Sequence, residues 1–190
     1  IERAMPKDGT LYYRRTVKMT EGFKRGRLLL HFGAVDNFTK VRVNGVSVGE
    51  HEGGYLPFEF DITPYLSEGE NKLTVEVEDT LDIELAYGKQ RKKRGGMWYT
   101  PISGIWQSVW LEAVPERFIL NLQIKPDLTG ISVRPCGNQG RCEIEVSYQG
   151  EKVAQGEFRD GMWCRIDMPE EHRHLWTPEE PHLYDMTVRG

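Results

Sequence analysis

The groups able to do chemistry in this chain are 29 carboxylates, five histidines and three cysteines, and their spacing argues against most reactions. Cys164 with His172 and His174 offers two imidazoles in H-x-H plus one distant thiol. A structural zinc wants four ligands at defined spacings, so no metal is expected. There is no glycine-rich phosphate loop and no Ser/His/Asp set with supporting context, and no cofactor is expected. The acidic residues are scattered over strand faces and turns, so no catalytic residue is assigned. Asp36 and Asn37, at a strand end, and Asp61-Ile62-Thr63 read as turn caps acting through side-chain oxygens, although the same groups can bind ligand hydroxyls. Lys89 to Arg94, K-Q-R-K-K-R, is the densest basic run. Alone it would suggest an anion patch; in an acidic chain it reads as a solvated loop.

A net charge of −4 and a pI near 5.8 argue against a nucleic-acid partner. No apolar run is long enough to span a membrane as a helix. The opening I-E-R-A-M-P-K-D-G lacks the apolar centre of a signal peptide, and both chain ends look cut. Cys136, Cys142 and Cys164 are an odd set without the spacing of a disulfide scaffold. A Cys136–Cys142 hairpin pairing is geometrically open, but reduced thiols and a cytoplasmic setting are the expectation.

The elements that would position these groups are strands. Val41–Val43 and Val46–Val48 flank Asn44-Gly45, two residues that readily take positive φ, which predicts a type I′ hairpin. Gly53-Gly54 breaks the chain, and Tyr55 to Asp61 alternates again. Leu11 to Met19, the apolar and central Arg27 to Phe32, and Leu73, Val75 and Val77 add further strands. A short helical turn is expected between Ile62 and Glu70. From Asp79 to Pro101 the pattern dissolves into a loop of about twenty residues, a length usually functional or disordered. One strand is then expected from Gly104 to Glu112, with Ile105, Val109 and Leu111 facing a core and Trp106 and Trp110 facing a neighbour. A boundary falls near Val114-Pro115-Glu116. Beyond it, six short strands (Phe118–Lys125, Ile131–Arg134, Cys142–Tyr148, Lys152–Phe158, Met162–Asp167 and Leu183–Arg189) suggest an immunoglobulin-like sandwich lacking one strand. Two domains, 1–115 and 116–190, are expected.

Four ordered stretches carry a resemblance. They are F32-G-A-V-D-N-F-T-K-V-R-V-N-G-V-S-V-G-E-H-E-G-G-Y-L-P-F-E-F-D-I-T63, N71-K-L-T-V-E-V-E-D79, G88-K-Q90 and S103-G-I-W-Q-S-V-W-L-E112. Together they resemble the N-terminal sugar-binding domain of family 2 glycoside hydrolases, the β-galactosidases, β-glucuronidases and β-mannosidases. The tract H174-L-W-T-P-E-E-P-H-L-Y184 is similar to a W-x-P-x-x-P-x-L-Y segment in that family's second domain. The resemblance implies an all-β fold, a galactose-binding-like jelly roll followed by an immunoglobulin-like sandwich. It also implies that both catalytic glutamates lie on a (β/α)₈ barrel following this region. The partners implied are a β-glycoside and that barrel. Some members carry a sugar-contacting aspartate five residues before the small-Gly-Ile motif, where this chain has Trp98, beside Met97 and Tyr99. Trp98 and Tyr99 can stack on a pyranose instead, and Lys89 and Gln90 match the family's G-K-Q, so these four are the candidate ligand contacts.

Two rival readings stay open on the sequence: a free-standing carbohydrate-binding module, and a structural adhesion-type sandwich. Which glycoside is involved, and the oligomeric state, are not specified by these residues. The Asp79–Pro101 loop is expected to be the most mobile part of the first domain.

Overall fold

A computed structural model describes residues 9–23, 26–80, 84–86, 88–91, 93, 95–138, 140–159 and 161–190. The protein is all-β, interrupted by 3₁₀ turns at Glu21–Phe23, Thr63–Tyr65 and Glu170–His172. It divides into two compact units, residues 1–114 and 115–190.

In the first unit, β1 (Thr10–Lys18), β2 (Arg27–Phe32), β3 (Val35–Asp36), β4 (Phe38–Val43), β5 (Val46–Glu52), β6 (Phe58–Asp61), β7 (Glu70–Glu78), β8 (Gly104–Ile105) and β9 (Val109–Val114) follow in order. They form a four-stranded sheet β1-β7-β4-β5, a three-stranded sheet β6-β2-β9 and the small pair β3-β8, with every pairing antiparallel. The period-2 apolar faces meet between the two larger sheets. Leu28, Leu30 and Phe32 of β2 pack with Val41 and Val43 of β4 and with Leu73, Val75 and Val77 of β7. The expected hairpin is present: Asn44 has φ 53° and Gly45 φ 84°, the mirror-image turn that suits twisted strands. The apolar run Arg27–Phe32 is the central strand of its sheet, as its lack of polar alternation implies. Asp61 and Thr63 act as caps. The Thr63 N–H donates to Asp61 Oδ1 at 3.0 Å, and Thr63 Oγ1 accepts from the Leu28 N–H at 2.7 Å.

The single strand expected from Gly104 to Glu112 is instead two, with a jog at 106–108. The partner chain jogs with it. The Gly33 N–H reaches Ser108 O at 2.8 Å, and a Cβ on Gly33 would lie 2.8 Å from Gln107 Cβ. Pairing thus passes from β2–β9 to β3–β8, and strand parity is lost across the break. Val109 is exposed rather than core-facing, while Ile105 and Leu111 do pack on the core. Trp106 and Trp110 remain 42% and 46% exposed. Trp110 stacks on His31 with ring centroids 4.8 Å apart, and His31 Nε2 lies 2.9 Å from the Glu112 carboxylate.

In the second unit, β10 (Phe118–Asp127), β11 (Gly130–Asn138), β12 (Arg141–Tyr148), β13 (Glu151–Arg159), β14 (Cys164–Asp167) and β15 (Asp185–Arg189) form sheets β10-β11-β14 and β13-β12-β15. Val133, Cys142, Ile144, Val146, Phe158 and Ile166 fill the space between them, completing a second sandwich. The last two strands start later than their apolar runs suggest, at Cys164 and Asp185. All three cysteines are free thiols. His172 and His174 serve a tyrosine cluster. The Tyr184 hydroxyl donates to His172 O and accepts from the His174 N–H, while the His174 ring stacks on Tyr148 at 4.4 Å.

Candidate functional site

The polar groups of the first unit gather at one end of its sandwich. Asn37, Thr39, Val41 and Val43 share the inward parity of β4 and its approach, and Val75, Val77 and Asp79 share that of β7. Where the apolar series gives out, Asn37, Thr39 and Asp79 are buried in its place, with Asp36 beside them. Asp36 and Asp79 are only 6% and 4% exposed. The Ser103 hydroxyl donates to Asp79 Oδ2, which ties the end of β7 to the residue before β8.

Asp36 lies directly under Gly54. A Cβ at that glycine would sit 2.5 Å from Asp36 Oδ1, so only a residue without a side chain fits. The Asn37 carbonyl accepts the Gly53 N–H at 3.1 Å, and the Trp106 indole N–H donates to Gly54 O at 2.8 Å. Trp106 therefore holds the 53–54 loop down over Asp36, and Tyr55 meets its ring edge-on at 6.3 Å between centroids. At this loop opens a cavity of about 270 Å³ lined by Asn37, Glu52, Gly53, Gly54, Tyr55, Leu56, Leu85 and Ala86. Burial, reinforced by the neighbouring Asp79 carboxylate and opposed by a hydrogen bond with Asn37, pushes the Asp36 carboxyl up to about 6. Asp36 itself stands behind Gly54 rather than among the residues that line the cavity, and it gains a proton only as the pH falls towards 6.

The four residues singled out from the sequence form one knot beside this cavity. The Tyr99 N–H donates to Lys89 O at 3.0 Å, and Gln90 bridges to Tyr99 in parallel. Gln90 Oε1 accepts the Ile102 N–H at 2.5 Å. Trp98 carries the Arg91 guanidinium over its ring at 4.0 Å, so one indole face is already occupied, while Tyr99 is exposed. None of the four lines the cavity itself. The loop reaches it through Leu85, Ala86 and Gly88, where a Cβ would lie 3.1 Å from the Tyr55 hydroxyl. Of the basic run, Lys92 and Arg94 lie outside the described residues, as do 81–83 and Tyr87 of the same loop.

Asp79, Ser103, Gly54 and the Trp106 N–H are the parts that motif reading missed. The available signal was parity: an acid standing in register with Val75 and Val77 is a polar residue at a core position. Such residues concentrate at sites with a task.

Comparison with known proteins follows the same lines. The model of one family, "Glycosyl hydrolases family 2, sugar binding domain", matches residues 2–115. A β-galactosidase from Thermoanaerobacter pseudethanolicus is 29% identical across 94% of this chain and 25% of its own length. One from Clostridium acetobutylicum is 31% identical across 90% of this chain and 19% of its own length. Among solved structures, a β-glucuronidase from Ruminococcus gnavus superposes with a TM-score of 0.70 at 22% identity, over 95% of this chain and 33% of that one. The chain therefore spans about a quarter or less of these two curated relatives. On the family match and the shared β-sandwich fold, the chain belongs to glycosyl hydrolase family 2 and carries that family's sugar binding domain.

Proposed function

We propose that the chain is the non-catalytic N-terminal region of an enzyme that hydrolyses β-glycosidic bonds, and that the polar end of its first sandwich forms one wall of the substrate cleft. The observation that carries this reading is the pair of buried acids, Asp36 and Asp79, at the end of the sandwich where Asp36 backs onto Gly54 of a cavity lined by Asn37, Tyr55, Leu85 and Ala86, within the region matched to the sugar binding domain. Burying two carboxylates is unfavourable for a sandwich that needs only apolar groups there, so their presence just behind the cavity wall points to a polar task at this end of the unit. Tyr99 and the free face of Trp98 supply stacking surface, with Lys89 and Gln90 fixing the loop. The two glutamates that cleave the bond belong to a (β/α)₈ barrel elsewhere in the longer protein. The exposed indoles of Trp106 and Trp110 suit a surface that such a partner covers.

Two measurements test this. The chain alone is expected to release no phenol from aryl β-galactoside or β-glucuronide; turnover lost on changing one of its carboxylates would refute the assignment of catalysis elsewhere. In nitrogen-15 spectra, a methyl β-galactoside is expected to shift the Trp98 indole and the amides of 36–37 and 53–55. Trp98→Ala should weaken that binding about tenfold, a loss of about 1.4 kcal/mol. Shifts confined to other parts of the first unit would remove the loop from the sugar site.

A further inference from the structure

An anion-seeking surface lies on the second unit, where the end of β13 meets the start of β14. Arg141 and Arg159 stand directly opposite each other in the β12–β13 register. Like charges in facing positions repel across a strand pair, so the arrangement calls for an anion. Glu157 answers only one of them, pairing with Arg141 at 2.5 Å. The next acid along, Glu143, faces Glu157 on one side and Arg189 of β15 on the other, and its charge also acts on Arg141. Arg159 has no carboxylate partner among the described residues. Two more cations approach from the adjoining sheet. Lys125 Nζ lies 4.6 Å and the Arg134 guanidinium 5.2 Å from the centre of the Trp163 ring, with Arg134 aimed by two hydrogen bonds to Gln123 Oε1.

Arg141, Glu157, Arg159 and Trp163 of this set line a concavity. A cavity of about 450 Å³ is lined by Arg141, Glu157, Phe158, Arg159, Met162 and Trp163. Met162 and Trp163 are exposed at its mouth although the unit's core is already complete beneath them. In a chain of net charge −4, this corner gathers Lys125, Arg134, Arg141 and Arg159, with Glu157 and Glu143 the facing carboxylates of the β12–β13 pair among the described residues. An aromatic ring, a flexible thioether, a fork-shaped cation and one hydrogen-bond-accepting carboxylate together suit a pyranose that carries a negative group. The ring and thioether take its apolar face, Glu157 takes hydroxyls, and the guanidinium takes the anion.

We propose that this corner of the second unit binds acidic oligosaccharides, with the sugar seated on Trp163 and Met162 and its carboxylate or sulfate held by Arg159 and Lys125. This surface lies in the second unit and stands independently of the cleft assigned to the first. An acidic saccharide held here would keep the chain on a polyanionic glycan while the cleft engages a separate residue.

The test uses the chain as it stands, with three tetrasaccharides as probes: tetragalacturonate, a heparin-derived sulfated tetrasaccharide, and neutral cellotetraose. Binding is followed by the Trp163 indole resonance, assigned through Trp163→Phe, and by calorimetry. At least one acidic probe is expected to bind at least about tenfold more tightly than cellotetraose, a difference of about 1.4 kcal/mol, and to weaken as salt is raised. Which acidic probe binds better separates carboxylate from sulfate as the recognised group. Arg159→Glu, at an exposed position, is expected to leave the thermal midpoint unchanged and to lower acidic-probe affinity by about tenfold or more. Trp163→Ala should weaken binding and Trp163→Phe restore most of it. Equal affinity for neutral and acidic probes, binding untouched by Arg159→Glu, or shifts confined to the first unit would each overturn the proposal. So would tighter binding of a single-stranded oligonucleotide than of either acidic sugar, or no binding of any probe at millimolar concentration.

Discussion

Replacing Asn71 by alanine is expected to unfold the first unit at a temperature about 15 °C or more below the parent, the largest effect of any single change described for this chain. Asn71 is 1% exposed, and its amide is used on both sides. Its Oδ1 accepts from Asn44 Nδ2 and from the Ser67 N–H, each at 2.7 Å. Its Nδ2 donates to Ser67 O at 2.9 Å and Gly69 O at 3.4 Å. Asn44 in turn reaches Tyr65 O and the Lys72 N–H, each at 2.9 Å. One buried amide thus locks the β4–β5 hairpin to the turn that follows the Thr63–Tyr65 3₁₀ segment. Alanine removes the four bonds that the buried amide makes to Asn44 Nδ2, the Ser67 N–H and the Ser67 and Gly69 carbonyls, in a turn whose residues 67–69 are themselves exposed. Each of those four bonds is worth about 1 kcal/mol net, so a loss of about 3–5 kcal/mol is expected. Asn71→Asp keeps both acceptor bonds but buries a charge, and should fall between the two. Calorimetric resolution of the first unit's transition checks this. A loss under about 1 kcal/mol would mean that neighbouring groups or water replace the amide, and that the clamp is not what fixes the hairpin.

That amide also illustrates what the sequence makes legible. Asn44-Gly45 announces its turn because the backbone conformation is a property of those two residues alone, and the long alternation through Leu73, Val75 and Val77 announces a strand for a similarly local reason. The partnership of Asn44 with Asn71 is not local, and nothing in either residue's neighbours specifies it. The jog at 106–108 was hidden for the same reason. Its cause is the matching break at Gly33, more than seventy positions earlier, and a run that alternates from Ile105 to Glu112 reads as one strand until its partner is known. Within the candidate site, the aromatic and basic residues of the 89–99 loop stood out by composition. That Arg91 would occupy one face of Trp98 depended on loop geometry. Asp36 and Asp79 were visible as acids, and Asp79 even as an acid at inward parity, but their closeness across the end of the sandwich is a tertiary fact.

Those two acids give the remaining prediction its sign. In the unfolded chain the Asp36 carboxyl titrates near its ordinary value of 3.8, whereas in the folded protein burial, aided by Asp79, lifts it to about 6. A raised carboxyl holds its proton more tightly when folded, so folding takes up a proton between about pH 4 and pH 6. Stability is therefore greatest below pH 4 with respect to this group, declines as pH rises towards 6, and stays at the lower level above it. A difference of about two pKa units corresponds to about 2–3 kcal/mol across that window. Asp36→Asn keeps an acceptor of the same size under Gly54 and removes the ionisation. The variant is expected to be more stable than the parent above pH 6 by up to that amount, close to it near pH 4, and flatter in between. The same variant loses the anionic oxygen packed behind Gly54, so sugar contacts at the adjoining cavity should weaken while the fold strengthens. This is the opposition expected where a destabilising group is kept for a task. Thermal midpoints of the first unit from pH 4 to 8, paired with glycoside titrations at pH 7, measure both sides. If Asp36→Asn has the parent's slope between pH 4 and 6, the carboxyl is not raised in the folded state. If it is stabilised yet binds sugar as the parent does, the acid belongs to the fold and the cleft wall must be sought among the loop residues alone.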